Sequence, residues 1–185
     1  MRWVGWLLTL LVIVQSLLVL GASVLTEISA HDSGQQAQRL SQARWLDPDN
    51  PVVQEQQLLA AKEPEEKLHY LQALTRGEPA RGIHWARLFS LQADLDLATS
   101  GTALRQAVRY APYEPLAQYL LIESGMSHWA DLSSDDRRIL MGVGYRVLDS
   151  RAEFLSSELE GLIERSGLLL LLCLETPALP ACESP

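Results

Sequence analysis

QQAQRLSQARWLDPDNP (35–51), EKLHYLQALTRGEP (66–79) and TALRQAVRYAPYEP (102–115) are three statements of one local pattern. Each is a run of helix-forming residues that ends at a proline. Proline lacks the N–H that a helix interior needs, and it biases the residue before it away from helical geometry. The closing prolines Pro48, Pro79 and Pro112 lie 31 and 33 residues apart. Eight residues before each stands a leucine, Leu40, Leu71 or Leu104, and five before each stands Ala43, Leu74 or Ala107. Positions three apart share one face of a helix, so every run carries the same apolar contact next to its stop. Pro51 and Pro115 stand where a following helix can begin, a position that tolerates the missing N–H.

Working outward, the stretches 52–61, 83–92 and 116–124 supply the partner helices between these stops. A helix–turn–helix unit of about 34 residues with a closing proline is the tetratricopeptide (TPR) pattern. HWARLFSL (84–91) sets Trp85 and Leu88 at the W-x2-L spacing that opens such a unit, with Phe89 where the pattern has a small residue. The expected fold is all-α, with TPR-like antiparallel helix pairs over residues 26–130. Past Gly125 the pattern stops. Ser133 or Ser134, followed by Asp135 and Asp136, reads as a helix N-terminus. Helices over 137–148 and 151–165, with the apolar run 168–174 as a buried terminal element, would form a helical C-terminal cap over 131–185. Prolines 177, 180 and 185 mark its tail as loose.

Residues 3–25 contain no charge. These 23 residues reach roughly 35 Å as a helix, enough for a hydrocarbon core of about 30 Å. Trp3 and Trp6 sit at one end, as interfacial indoles do, and Arg2 precedes the run while Glu27 and Asp32 follow it. The positive-inside rule puts the N-terminus in the cytoplasm and the rest outside. The expectation is an anchor over 1–25, a single pass through a bacterial inner membrane and a soluble domain in the periplasm. The rival is a cleaved signal peptide ending near Ala22 or Ala30, whose apolar stretch would normally be only about 7–15 residues.

The chain carries a formal charge of −8, or −9 without Arg2. That balance argues against nucleic acid, whose phosphates need Lys and Arg, and against anionic lipid surfaces. His31, His69, His84 and His128 show no metal-ligand spacing, and surface or half-buried imidazoles account for them. No Walker loop, zinc-protease helix, nucleophile elbow or dinucleotide fingerprint is present. Asp47-Pro48-Asp49 and Asp94-Leu95-Asp96 read as turn and cap residues rather than glycosidase acids. No catalytic, cofactor-binding or metal residue, no cofactor and no small-molecule substrate is expected; the chain does not read as an enzyme. Cys173 and Cys182 can close a disulfide if they lie in an oxidising compartment. Trp85, Tyr113 and Trp129 are the candidate partner-contact or repeat-packing residues, and with Trp45 they could also form a sugar-stacking set.

RWLDPDNPVVQ (44–54), EPEEKL (63–68), EPARGIHWARL (78–88), ALRQAVRYAPYEPLAQ (103–118) and SGMSHWADLSSDDRR (124–138) together resemble the VpsP-type proteins of bacterial exopolysaccharide biosynthesis loci. That family has an aromatic-bearing "PWEP" step where this chain has Ala111-Pro112-Tyr113-Glu114-Pro115, then Gly, Trp and Arg at the spacing of Gly125, Trp129 and Arg137. It carries a second proline after the one matching Pro79, where this chain has Arg81-Gly82. The resemblance implies a membrane-anchored accessory scaffold in making or exporting a surface polysaccharide, working through protein partners. The competing expectation is a general TPR assembly factor for another secretion or maturation system, and after it a glycan-acting enzyme.

Overall fold

The computed structural model describes residues 13–16, 42, 45–149, 157–175 and 182. It is all-helical, with no strand among the described residues. The helices are α1 (Pro51–Ala60), α2 (Pro64–Gly77), α3 (Gly82–Asp94), α4 (Ser100–Tyr110), α5 (Pro115–Ser127), α6 (Ser134–Asp149), α7 (Ser157–Arg165) and α8 (Leu168–Glu175). The apolar run 3–25 lies outside the described residues except for Ile13–Ser16, which are helical and exposed. Among the described residues no helix is long and apolar enough to cross a membrane. Leu40 and Ala43 also lie outside the described residues.

The chain divides into two compact units, Met1–Glu78 and Pro79–Pro185. In the first, α1 pairs with α2. Asn50 caps α1, its side-chain oxygen accepting the Val52 N–H at 3.0 Å, and Pro51 takes the first helical position. Pro64 opens α2 in the same way, with Glu65 and Glu66 in the first turn and Arg76 in the last. These charges oppose the helix macrodipole at both ends. Leu71 and Leu74 are buried, as the pattern of leucines before Pro79 requires.

In the second unit α3 packs on both α4 and α5, and α6 packs on both α4 and α5. A helix pair α3/α4 is therefore followed by a second pair, α5/α6, that repeats its neighbour relations. The apolar register before Pro112 is buried too, with Leu104 and Ala107 inaccessible to solvent. Phe89, Leu121, Ile122 and Leu140 complete the interior. Ser124 donates to Ser90 across α3 and α5 at 2.6 Å. Past the second pair, α7 and α8 pack on each other and on α6. The segment 131–149 thus does more than cover the end of the array: α6 supplies the partner helix of α5.

One closure recurs at all three repeat steps. The side chain six residues after each closing proline donates back to that proline's carbonyl: Gln54 to Pro48 at 3.3 Å, Trp85 to Pro79 at 2.8 Å, Gln118 to Pro112 at 2.9 Å. The donor stands at the fourth helical position of α1, α3 or α5, one turn inside the helix, where it pins the incoming chain as a hydrophobic staple would. The residue before each donor, Val53, His84 or Ala117, is buried. His84, expected at the surface or half-buried, is fully inaccessible because the repeat register aims this position inward.

Gly82 departs from the two prolines at its register position, and packing explains it. A Cβ there would land on the Cβ of Ala111, with its backbone nitrogen 2.6 Å away and the Tyr110 carbonyl carbon 2.9 Å away. The start of α3 lies directly against the end of α4, and only a residue without a side chain allows that approach. Gly144 plays a comparable part on α6, admitting Leu168 and Leu172 of α8. Leu168 and Leu172 are buried, but the other side of the same helix is not: Leu170 is 66% and Leu174 72% exposed. The run 168–174 is therefore buried on one face only.

Candidate functional site

Two connections in the second unit, 95–99 and 128–133, face each other across a cleft of about 420 Å³. The first begins with a Schellman motif. Leu97 N–H donates to the Gln92 carbonyl and Asp96 N–H to the Ala93 carbonyl, with Asp96 in the left-handed region at φ 52°. This position normally takes glycine, and the short polar side chain of Asp is one of the few tolerated alternatives. The second connection turns through Asp131 N–H to the His128 carbonyl and ends at Ser133, the N-cap of α6. Ser133 accepts the Asp136 N–H at 3.1 Å as the N-cap of α6, and its hydroxyl donates to the Asp136 carboxylate at 2.6 Å.

Asp94, Asp96, His128, Asp131, Ser133 and Asp136 provide the polar lining. Asp136 is buried and receives Arg105 of α4 at 2.6 Å. Its charge is thus shared between two helices: one oxygen serves the cap of α6, the other the guanidinium of α4. Asp94, Asp96 and Asp131 are exposed and solvated. His128 lies between these groups, Nδ1 at 3.0 Å from the Ser124 carbonyl and Nε2 at 3.8 Å from the Asp94 carboxylate. No group of three or more His, Cys, Asp or Glu residues among those described could hold a metal ion. The arrangement offers hydrogen-bond acceptors to a cationic or polyhydroxylated group, and its best-organised carboxylate is already committed to holding α4 and α6 together.

The aromatic candidates are placed apart in role. Trp85, half-buried at the start of α3, has its indole N–H engaged with the Pro79 carbonyl. Trp129 lies under the guanidinium of Arg137, which also donates to the carbonyls of Trp129 and Ala130 at 2.9 and 2.8 Å. Gly125, the other member of that trio, lets Leu140 of α6 approach α5, where a Cβ would meet Leu140 Cδ2 at 2.5 Å. The Gly125, Trp129 and Arg137 spacing is thereby accounted for by the α5–α6 corner. Tyr113 differs: it is 73% exposed in the turn between α4 and α5, flanked by exposed Tyr110 and Leu116. Trp45, in the first unit, is also exposed.

Cys173 on α8 and Cys182 form a disulfide with Cα atoms 5.7 Å apart. Sequence reasoning missed Gln54, Gln118 and the cleft, while His128 is half-buried as expected. A search for donors six residues after each closing proline would have found the first two. The cleft depends on two connections far apart in the chain and has no local signature. No protein family, no curated protein and no solved structure matches the chain.

Proposed function

We propose that this protein is a membrane-anchored accessory scaffold of bacterial exopolysaccharide assembly, with a TPR-like domain in the periplasm that holds protein partners. The observation that carries the scaffold reading is the closure repeated at Pro48, Pro79 and Pro112, which makes successive helix pairs variants of one unit. Stacked pairs of that kind act through the surface they present to a partner rather than through a buried reaction centre. The uncharged run 3–25 supports the anchor, and the VpsP-type sequence features support the polysaccharide role.

Within this reading Tyr113, with Tyr110 and Leu116 beside it, is the partner-contact patch. Aromatic side chains at a rigid turn give large contact area at little entropic cost. Trp85 and Trp129 serve repeat packing instead, since their polar or π faces are already engaged. The experiment is crosslinking in native membranes followed by purification of the full-length chain, with and without Tyr113→Ala. The reading expects a polysaccharide polymerase, co-polymerase or export component to be recovered and to be depleted by the substitution. It also expects deletion of the gene to lower polymer output. Recovery of a secretion or cytochrome-maturation component, with polymer output unchanged, would replace it with the general assembly-factor reading.

A further inference from the structure

We propose that His128 and Asp94 form a proton-operated latch across the cleft, joining the end of α5 to the end of α3 when the imidazole is protonated. The argument begins with which nitrogen carries hydrogen. His128 Nδ1 lies 3.0 Å from the Ser124 carbonyl, and a carbonyl can only accept, so Nδ1 is the donor. In the neutral ring the other nitrogen, Nε2, then carries a lone pair and no hydrogen. That lone pair faces Asp94 Oδ1 at 3.8 Å, acceptor against acceptor and beyond hydrogen-bond range. Uptake of one proton at Nε2 reverses the sign of the contact. The ring becomes a cation with a donor aimed at the carboxylate, and a charge-assisted hydrogen bond of about 2.8 Å is reached by a small movement.

Four carboxylates line the cleft around this contact. Asp94 comes from the end of α3, Asp96 from the connection after it, Asp131 from the connection after α5, and Asp136 from the start of α6. Asp136 is itself paired with Arg105 of α4 at 2.6 Å. Both latch partners lie at helix C-termini. Asp94 is the last residue of α3, just before the left-handed Asp96, and His128 is the cap residue of α5. The latch is closed when Nε2 carries a proton and released when it does not.

The test is NMR on the full-length chain at pH 8 and pH 5. At pH 8 the ring nitrogens of His128 should report the Nδ1–H tautomer, the minor form of free histidine. Hydrogen-exchange protection of the Leu95, Asp96 and Leu97 amides, corrected for the intrinsic pH dependence of exchange, should be roughly 1.5- to 5-fold greater at pH 5, the range expected of a solvent-exposed ion pair. Asp94→Asn and His128→Gln should each remove that difference. Asp96→Asn and Asp131→Asn should keep it. Asp94 is 60% exposed on its side chain, so Asp94→Asn is expected to fold normally. An Nε2–H tautomer at pH 8, protection that does not change with pH, persistence of the change in Asp94→Asn, or its loss in Asp96→Asn or Asp131→Asn would each overturn the latch.

Discussion

Replacing Gly82 with proline would make the second repeat step read like the other two, since Pro51 and Pro115 hold the same register position. Sequence averaging would recommend the change, and replacement by alanine would be recommended as a gain in helix propensity. The structure requires the opposite outcome. The atoms that a Cβ at position 82 meets are the Cβ and backbone nitrogen of Ala111 and the carbonyl carbon of Tyr110, and none of them is the far end of a flexible side chain. The Ala111 N–H is already bonded to the Ala107 carbonyl at 2.8 Å, so it resists displacement. Overpacking of this kind costs about 1–3 kcal/mol, while replacing glycine gains at most about 1 kcal/mol, and less in a first turn. Gly82→Ala should therefore lower stability by about 1–2 kcal/mol, and Gly82→Pro by at least as much. Gly77, the last residue of α2, is the control. A Cβ there meets nothing within 4 Å, so Gly77→Ala should be neutral or stabilising by up to about 1 kcal/mol. Denaturant midpoints followed by far-UV circular dichroism would measure both. Ala111→Gly should recover part of the Gly82→Ala loss in a double-mutant cycle. If Gly82→Ala and Gly77→Ala shift the midpoint in the same direction, the close approach of α3 to α4 is not as described.

Three further outcomes follow from the packing. Asp136→Ala removes the carboxylate that accepts from the Ser133 hydroxyl and leaves Arg105 without its ion-pair partner, so unfolding should become easier by about 1–3 kcal/mol in the same denaturation assay; Arg105 is about half exposed, which keeps the figure below that of a fully buried pair. Asp96→Gly relieves the left-handed residue of the Schellman motif and should raise stability by about 0.5–1 kcal/mol, provided that hydrogen-bonding geometry at Leu97 is kept as judged by its amide shift. Ala107→Leu places a large side chain at a fully buried position of α4, costing about 1–3 kcal/mol; under the scaffold reading, polymer output should fall with it, while Asp96→Asn and Asp131→Asn leave output largely intact. Loss of output in either carboxylate variant, in protein that keeps its helicity and membrane level, would favour the glycan-acting enzyme.

What could be read from the sequence is what local chemistry dictates. Proline stops a helix wherever it falls, and positions three apart share a face. Leu71, Leu74, Leu104 and Ala107 could therefore be assigned to buried faces from their distance to Pro79 and Pro112. Ser133 or Ser134 could be read as a cap because capping is settled within four residues, and the bond is made by Ser133. What escaped depends on which segment arrives opposite. The Gln54 and Gln118 amides look like ordinary surface polarity until the chain before the helix bends back within reach. His84 is polar by composition and buried by register, and the register prevails. The all-leucine stretch of α8 gives no periodicity from which to tell a half-covered helix from a buried one. The cleft is the extreme case. Asp94 and His128 are 34 residues apart and share no motif. They meet because α3 and α5, each 13 residues long, pack side by side and bring their C-terminal ends together. A repeat therefore sets the distance between its connections as firmly as it sets its core, and polar groups placed on those connections face one another without any pattern that links them in the chain.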